Sequence, residues 1–315
     1  MPFQVTMLSK RSLLLGKVEA DYGTDPVPVK TTDVMLAYDT SITPDIETEK
    51  RPNRVASFDA LGVATGRQTH DFSFKTVSVG GKIGEPPLEA ALLKMCGFVA
   101  ADTVYALSSE QPAANSSATL YFYIDGVLYK LTGCRGNMIL RAVNAKPLEL
   151  EFKGKGLYLP PAVTAFVSDP TFSCVNPILC TGLSITIGGL ALTGIESIEL
   201  DLATEITVSH SIGATTGVRE INRVGRDITL KLNPEVTPAQ IVALEEALIG
   251  STQQAIGIGF FNGDYGIQLG LPNCELLSAT NGERDGKVIK DLTFAVNNDC
   301  ATGGVDNAIK LQYEP

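Results

Sequence analysis

The sequence predicts a mainly β fold made of two tandem domains, each with one α-helix. Many short segments alternate apolar and polar residues, and the chain's 30 glycines and 17 prolines separate them. Two segments show helical spacing instead, and the two halves place similar elements in the same order. With 315 residues, 44% hydrophobic and 19% charged, the chain is long enough and apolar enough to bury substantial cores.

In the first half, a strand in "ITPDIETEKR" (42–51) leads into an arginine-bearing loop, "RPNRVASFDALGVATGRQ" (51–68). A second strand, "HDFSFKTVSV" (70–79), follows the loop. The next segment, "PPLEAALLKMCG", predicts a helix that starts at the prolines and stops at Gly97. Asp125-Gly126 then marks a hairpin turn, and "LELEF" (148–152) is a closing strand.

The second half repeats this order. The strand "IELDLATEITVSH" (198–210), the loop "SIGATTGVREINRVGRD" (211–227) and the strand "DITLKLNPEV" (227–236) precede a second helix. In that helix Thr237 and Gln240 form a capping box, Pro238 takes the first position and Gly250 ends it. A hairpin at Asn262-Gly263 and a strand in "DLTFAV" (291–296) complete the half.

Six elements of matching type, in matching order and at nearly constant separation, indicate a tandem duplication. A cysteine follows the hairpin in both halves, at Cys134 and Cys274. We therefore predict a first domain at 1–160 with an N-terminal arm, a proline-rich linker at 161–177 and a second domain at 178–315. Two unrelated β-rich domains are the alternative.

The composition argues against several classes of function. A net charge of −10 does not suit a protein that grips nucleic acid through basic patches. The six cysteines include no CxxC pair and no nearby histidine, so we expect reduced, packed thiols, with a Cys174–Cys180 bridge as the alternative. No segment predicts a transmembrane helix, and the N-terminal residues do not resemble an export signal.

Motifs for catalysis and ligand binding are weak. His70 and His210 lie beside predicted strands with no triad around them. "GIGFFNGDYGIQLG" (257–270) favours a hairpin over a nucleotide loop, and "NGERDG" (281–286) favours a surface turn over a calcium loop. We predict no cofactor, no metal site and no enzymatic activity.

Four stretches of the chain resemble the major tail tube proteins of long-tailed, non-contractile (siphovirus-type) bacteriophages. They are "LLLGKVEADYGTDPVP" (13–28), "GVATGRQTHDFSFKTVSVGG" (62–81), "PPLEAALLKMCGF" (86–98) and "ITVSHSIGATTGVREINRVGRDITLKLNPEVT" (206–237). The resemblance implies β-sandwich or barrel domains whose strands form a ring-shaped inner β-barrel. A helix would lie outside the barrel, and a long loop would reach the next ring.

The resemblance also implies an assembly and its partners. Three chains of two domains would form a ring with pseudo-sixfold symmetry, and rings would stack head to tail into a tube in the virion tail. Assembly would occur in the host bacterial cytoplasm with tape-measure, tail terminator and distal tail proteins. Genomic DNA would pass through the tube without specific binding.

Two sets of residues follow as candidates for function. Strand parity places carboxylates on one face in each half, and we expect this face to line the lumen or, alternatively, to face outer solvent: Asp45, Glu47, Glu49, Glu199, Asp201 and Glu205. The loops carry matching arginines, which we expect at the contact between rings or, alternatively, in solvated loops: Arg51, Arg54, Arg67, Arg219, Arg223 and Arg226.

A second class of function remains open at this stage. A β-rich virion decoration or adhesion module that binds a ligand through its loops would share the same composition. Such a module would stay monomeric or form a closed small oligomer, whereas a tube protein would stack without a fixed end.

Overall fold

The computed structural model describes residues 7–8, 10–51, 62–82, 85–110, 116–172, 175–187, 192–298 and 306–314. Strands dominate these residues, which also contain two helices, so the mainly β prediction is confirmed. The helices are α1 (Ala90–Met95) and α2 (Pro238–Ile249). The strands of the first half are β1 (Ser12–Val18), β2 (Val34–Met35), β3 (Ala37–Lys50), β4 (Val63–Val77), β5 (Phe98–Ala101), β6 (Val104–Leu107), β7 (Ala118–Ile124), β8 (Val127–Val143), β9 (Glu149–Leu157) and β10 (Ala162–Val163). Those of the second half are β11 (Ser184–Ile187), β12 (Ser197–Asp201), β13 (Thr204–His210), β14 (Val218–Arg226), β15 (Thr229–Leu232), β16 (Gln253–Asn262), β17 (Tyr265–Arg284), β18 (Lys287–Val296) and β19 (Lys310–Gln312).

Eight strands form the central sheet. They pair antiparallel in the order β3-β4-β9-β8-β12-β15-β18-β17, so the sheet joins the first half to the second through β8 and β12. Because side chains alternate along a strand, one face of this sheet is apolar and the other is polar. The sheet contains strands from both predicted domains, and the domain boundaries at 160 and 178 remain predictions.

The apolar face contributes to a core that also includes both helices and the remaining strands. Phe74 lies opposite Phe152 across β4 and β9, and the two rings stack with centroids 5.6 Å apart. Leu230 lies opposite Phe294 in the second half. Leu93 of α1 and Leu244 of α2 are both fully buried in the same cluster.

The two halves share one pairing order, strand for strand. In the first half the strands follow the path β1-β7-β8-β9-β4-β3. In the second half β11-β16-β17-β18-β15-β12 follows the same path. The buried thiols also match, because Cys134 points its Sγ at the carbonyl of Leu131 and Cys274 points its Sγ at the carbonyl of Leu271.

One of the two segments that we predicted as long loops is largely strand. Of 211–227, Asp227 and the turn before Val218 are loop, because β14 occupies the rest and pairs with β13 as a two-stranded ribbon. The other predicted loop, 51–68, ends within β4, and 52–61 lies outside the described residues. The predicted strand 198–210 is broken by Ala203, whose φ of 44° ends β12 and starts the separate ribbon.

Local signals predicted both ends of α2 and the end of α1, but α1 begins at Ala90 rather than at the prolines, and one turn is shifted. Thr237 and Gln240 exchange both capping-box hydrogen bonds, and Pro238 begins α2 as predicted. Gly97 follows α1 with a φ of 98°, a conformation that favours glycine. In the second hairpin the two turn residues are Gly263 and Asp264, because Asn262 still pairs with Tyr265. Four described cysteines are free and buried, as expected: Cys96, Cys134, Cys180 and Cys274. The other two, Cys174 and Cys300, lie outside the described residues.

Candidate functional site

The polar face of the central sheet carries ladders of opposite charges. Glu199 on β12 lies directly between Arg141 on β8 and Lys231 on β15. Both basic groups donate to its carboxylate at 2.9 Å. These bonds, from Lys231 and then from Arg141, hold the pKa of Glu199 below its ordinary value. The joint between the two halves is therefore bridged by charge as well as by backbone pairing.

Further ion pairs cross the first half of this face. Arg141 also binds Glu151, which Lys153 contacts at 2.5 Å. Lys155 on β9 donates to Asp71 at 2.6 Å and to Asp45 at 3.0 Å. Burial raises the pKa of Glu151, but the bonds from Lys153 and Arg141 outweigh burial, so its pKa is lowered overall.

Acidic groups outnumber basic groups on the polar face. The strand registers place these carboxylates on it: Asp45, Asp71, Glu149, Glu151, Glu199, Asp201, Glu275 and Asp291. They place one fewer basic group beside them: Lys75, Arg141, Lys153, Lys155, Lys231, Arg284 and Lys287. The face is thus net acidic, yet most of its charges are paired with a neighbour of opposite sign.

The predicted acidic residues separate into three positions. Asp45, Glu47 and Glu49 share one parity along β3, and Glu199 and Asp201 share the polar face on β12, as alternation predicts. Glu47 and Glu49 lie where β3 and β4 extend past the end of β9, and Glu47 binds Arg67 there at 2.5 Å. Asp201 accepts a hydrogen bond from Asn137 at 2.7 Å. Glu205, which follows the break at Ala203, is exposed and belongs to the β13–β14 ribbon instead of the central sheet. The six carboxylates therefore do not form one continuous surface.

The β13–β14 ribbon lies against the first half of the chain. Backbone Gln68 donates to the carbonyl of Thr216 at 3.1 Å, and Arg67 approaches the Nε2 of His210 at 2.6 Å. The first residues of β4 and the turn of the ribbon belong to the two segments that were predicted as equivalent loops. They therefore contact each other within one chain.

The six predicted arginines fall into different environments. Arg51 and Arg219 are exposed, at the end of β3 and on β14, and Arg54 lies outside the described residues. Arg223 is largely buried and donates to the carbonyls of Met95 and Ser116, each at 3.0 Å. Burial lowers the pKa of Arg223 to about 10.

Arg226 also contacts the first half rather than open solvent. It donates to the hydroxyl of Ser109 in the first half at 3.2 Å, and it binds Asp306 in the second half. Two of the predicted contact arginines thus hold the ribbon in place within the chain.

Arg135 is a further anchor of the ribbon, and its role was not predicted from the sequence. Its side chain is fully buried, donates to the carbonyl of Ile221 at 2.5 Å and to Glu220 at 3.1 Å, and lies 4.6 Å from the ring of Tyr22. Tyr22 in turn accepts from the backbone of Ile221 at 2.8 Å. Nothing in the local pattern around Arg135 distinguishes it from an exposed arginine of a strand.

The histidines do not form a reaction centre. His70 is buried, stacks on Tyr158 with centroids 4.6 Å apart and has an Nδ1 without a hydrogen-bond partner in the structure. Burial lowers the pKa of His70, which favours the neutral ring. Among the described residues, no three His, Cys, Asp or Glu side chains lie close enough to hold a metal ion.

Comparison with known proteins gives no family assignment. No protein-family model matches the chain, and no curated protein matches it. In the described part of the chain, neither helix has the length and apolar character needed to cross a membrane.

Proposed function

We propose that this chain is a structural virion protein, the subunit of a tail tube in a long-tailed bacteriophage with a non-contractile tail. The observation that carries the proposal is the central sheet, which is assembled from two halves with one pairing order. One face of this sheet is polar and the other is covered by helices and strands, as a tube wall requires.

The pairing order supports a duplicated tube domain. If each half is one tube domain, three chains supply six domains, and three copies of the central sheet complete one ring. The polar faces would then line the lumen, where a mixed but net acidic surface offers DNA few unpaired basic groups. The chain would act as a conduit during DNA ejection, without catalysis.

Electron microscopy of concentrated protein tests this function directly. We expect rings or tubes whose image averages show three chains per layer and near-sixfold density. Six chains per layer would contradict the duplication but leave a tube in place. A chain that stays monomeric at every concentration, in the presence of a distal-tail initiator complex as well, would favour a decoration or adhesion module.

A further inference from the structure

The joint between the halves is a strand pairing that the chain makes with itself. Strand β7 pairs with one edge of β8 as far as Cys134, and β12 pairs with the continuation of that edge. In this pairing Asp201 lies opposite Ile139, and Glu199 lies opposite Arg141. By the shared pairing order, β17 is the counterpart of β8, and β3 is the counterpart of β12. The chain therefore makes the β8–β12 joint once and also carries the two strands, β17 and β3, that could form an equivalent joint.

Those other half-sites are unpaired among the described residues. Strand β3 pairs only with β4, and none of its residues is buried. Strand β17 pairs with β16 only as far as Glu275. Its last nine residues pair with β18 on one edge, and their other edge meets no described strand. A long exposed edge strand presents free N–H and C=O groups that another chain can pair with.

The shared pairing order fixes the register of a second joint. Leu131 and Cys134 correspond to Leu271 and Cys274, because each pair makes the same Sγ-to-carbonyl contact. Carrying this alignment across the sheet, and allowing for the bulge after Leu276, makes Thr280 the counterpart of Ile139. The same alignment makes Thr43 the counterpart of Asp201.

We infer that β3 of one chain pairs antiparallel with the free edge of β17 in a second copy, with Thr43 opposite Thr280. This inference deepens the proposed tube function and rests on it for the closure of three chains into a ring. The contact is head to tail, so each chain uses one edge for each neighbour.

The side chains at this joint suit each other. Cross-strand threonine pairs are favourable, and the same register brings Ile46 opposite Leu277. Ile46 is 38% exposed and Leu277 is 56% exposed, so pairing would cover two apolar side chains that solvent now reaches.

One residue makes the second joint weaker than the first. Leu202 donates its backbone N–H to the carbonyl of Met138 at 3.2 Å, and Pro44 is the counterpart of Leu202. Proline has no N–H to donate, so the joint between chains has one hydrogen bond fewer than the joint within a chain. This difference suits an internal joint that forms on folding and an external joint that forms on assembly.

Paired cysteines test the register. Residues directly opposite on antiparallel strands have Cα atoms about 4.5 to 5.5 Å apart, which is within the range for a disulfide. The double variant Thr43→Cys and Thr280→Cys, oxidised under assembly conditions, should give covalent dimers and trimers on non-reducing gels. A second pair, Asp45→Cys with Ser278→Cys, tests the same register two residues along and guards against a variant that does not fold.

The matched control moves one cysteine along the same strand. Glu49→Cys with Thr280→Cys keeps the same face of β3 but displaces the thiol by six residues, about 20 Å. This control, the single variants and the wild type should give no covalent ladder, which also measures the contribution of the native cysteines.

The outcomes separate this joint from the tube function. Cross-linking of both designed pairs without rings would support the joint and contradict the tube. Rings by microscopy with neither pair cross-linked would overturn the joint and leave the tube standing. A chain that forms neither rings nor cross-links at high concentration would overturn the joint as well.

Discussion

Glu89 shows how a single buried carboxyl makes the core sensitive to pH. It is 4% exposed at the start of α1, and the hydroxyl of Ser78 donates to it. Burial, the largest influence, raises its pKa, and the hydrogen bonds from Ser78 and Tyr313 only partly offset this effect. The folded chain therefore holds this proton at pH values where the unfolded chain has released it.

The raised pKa of Glu89 predicts a direction for stability against pH. Its contribution is fully present below the ordinary glutamate pKa of 4.5 and is lost as pH rises through the raised pKa. Glu89→Gln keeps the shape without the charge, so its melting temperature should gain on the wild type between pH 4 and pH 8. Thermal melts across this range, with the exposed Glu246→Gln as control, measure the effect. Parallel profiles for wild type and Glu89→Gln would show that Glu89 does not titrate in this way.

At the scale of elements, the regular strands and α2 followed from sequence because their signals are local. Alternation placed Leu200 and Leu230 in the core, and the capping box at Thr237 set the start of α2. Strand β13 fell within the predicted strand 198–210, but its partner β14 was missed because the ribbon packs on the first half through polar side chains. Its strand "VREINRVGR" therefore shows charge where alternation would be expected.

The candidate surface was likewise predicted in part. Parity placed Glu199 and Asp201 on the polar face, because a strand has a fixed period. The basic partners on neighbouring strands depend on register, which a single strand does not reveal. The parity of Lys153 and Lys155 with Glu149 and Glu151 along β9 was the available signal that the face is mixed rather than acidic.

The ribbon arginines predict different effects of substitution on the same strand. Arg223→Met removes the donor to the carbonyl of Met95 and the shorter of two bonds to the carbonyl of Ser116, which Arg135 also contacts at 3.4 Å. An unsatisfied buried polar group costs about 1 to 3 kcal/mol. We therefore expect a loss of about 2 kcal/mol in the free energy of unfolding, measured by urea titration. Arg219→Met is the matched control on an exposed site, with an expected change within about 0.5 kcal/mol. Equal effects of the two substitutions would contradict the anchoring role of Arg223.

The anchoring role also changes how contacts between rings should be tested. Only the exposed Arg219 among the arginines of β14 offers its charge without breaking an anchor within the chain. A stacking defect in an Arg223 variant would report on a displaced ribbon, whereas one in an Arg219 variant would report on the contact itself.

At the scale of the whole molecule, we expect the proposed lumen to bind DNA weakly because its charges are paired as much as because of its net charge. Lys155, Arg141 and Lys231 each bind a carboxylate, so a passing phosphate would have to compete with an existing ion pair. Replacing the carboxylates themselves would break these pairs and confuse a change in charge with a loss of stability. Neutral positions on the same face give a cleaner test.

Ser73 and Thr293 are two such neutral positions, because each lies half-buried on the polar face beside charged residues. The double variant Ser73→Lys and Thr293→Lys adds unpaired positive charges, which should bind phosphate and release counterions. Assembled tubes of this variant should retain DNA at low ionic strength, and added salt should reverse the retention. The matched control, Ser73→Gln and Thr293→Gln, adds bulk without charge and should transmit DNA like the wild type. Both variants must first form intact tubes by microscopy. If lysine tubes then pass DNA as freely as glutamine tubes at low salt, this face does not line the lumen.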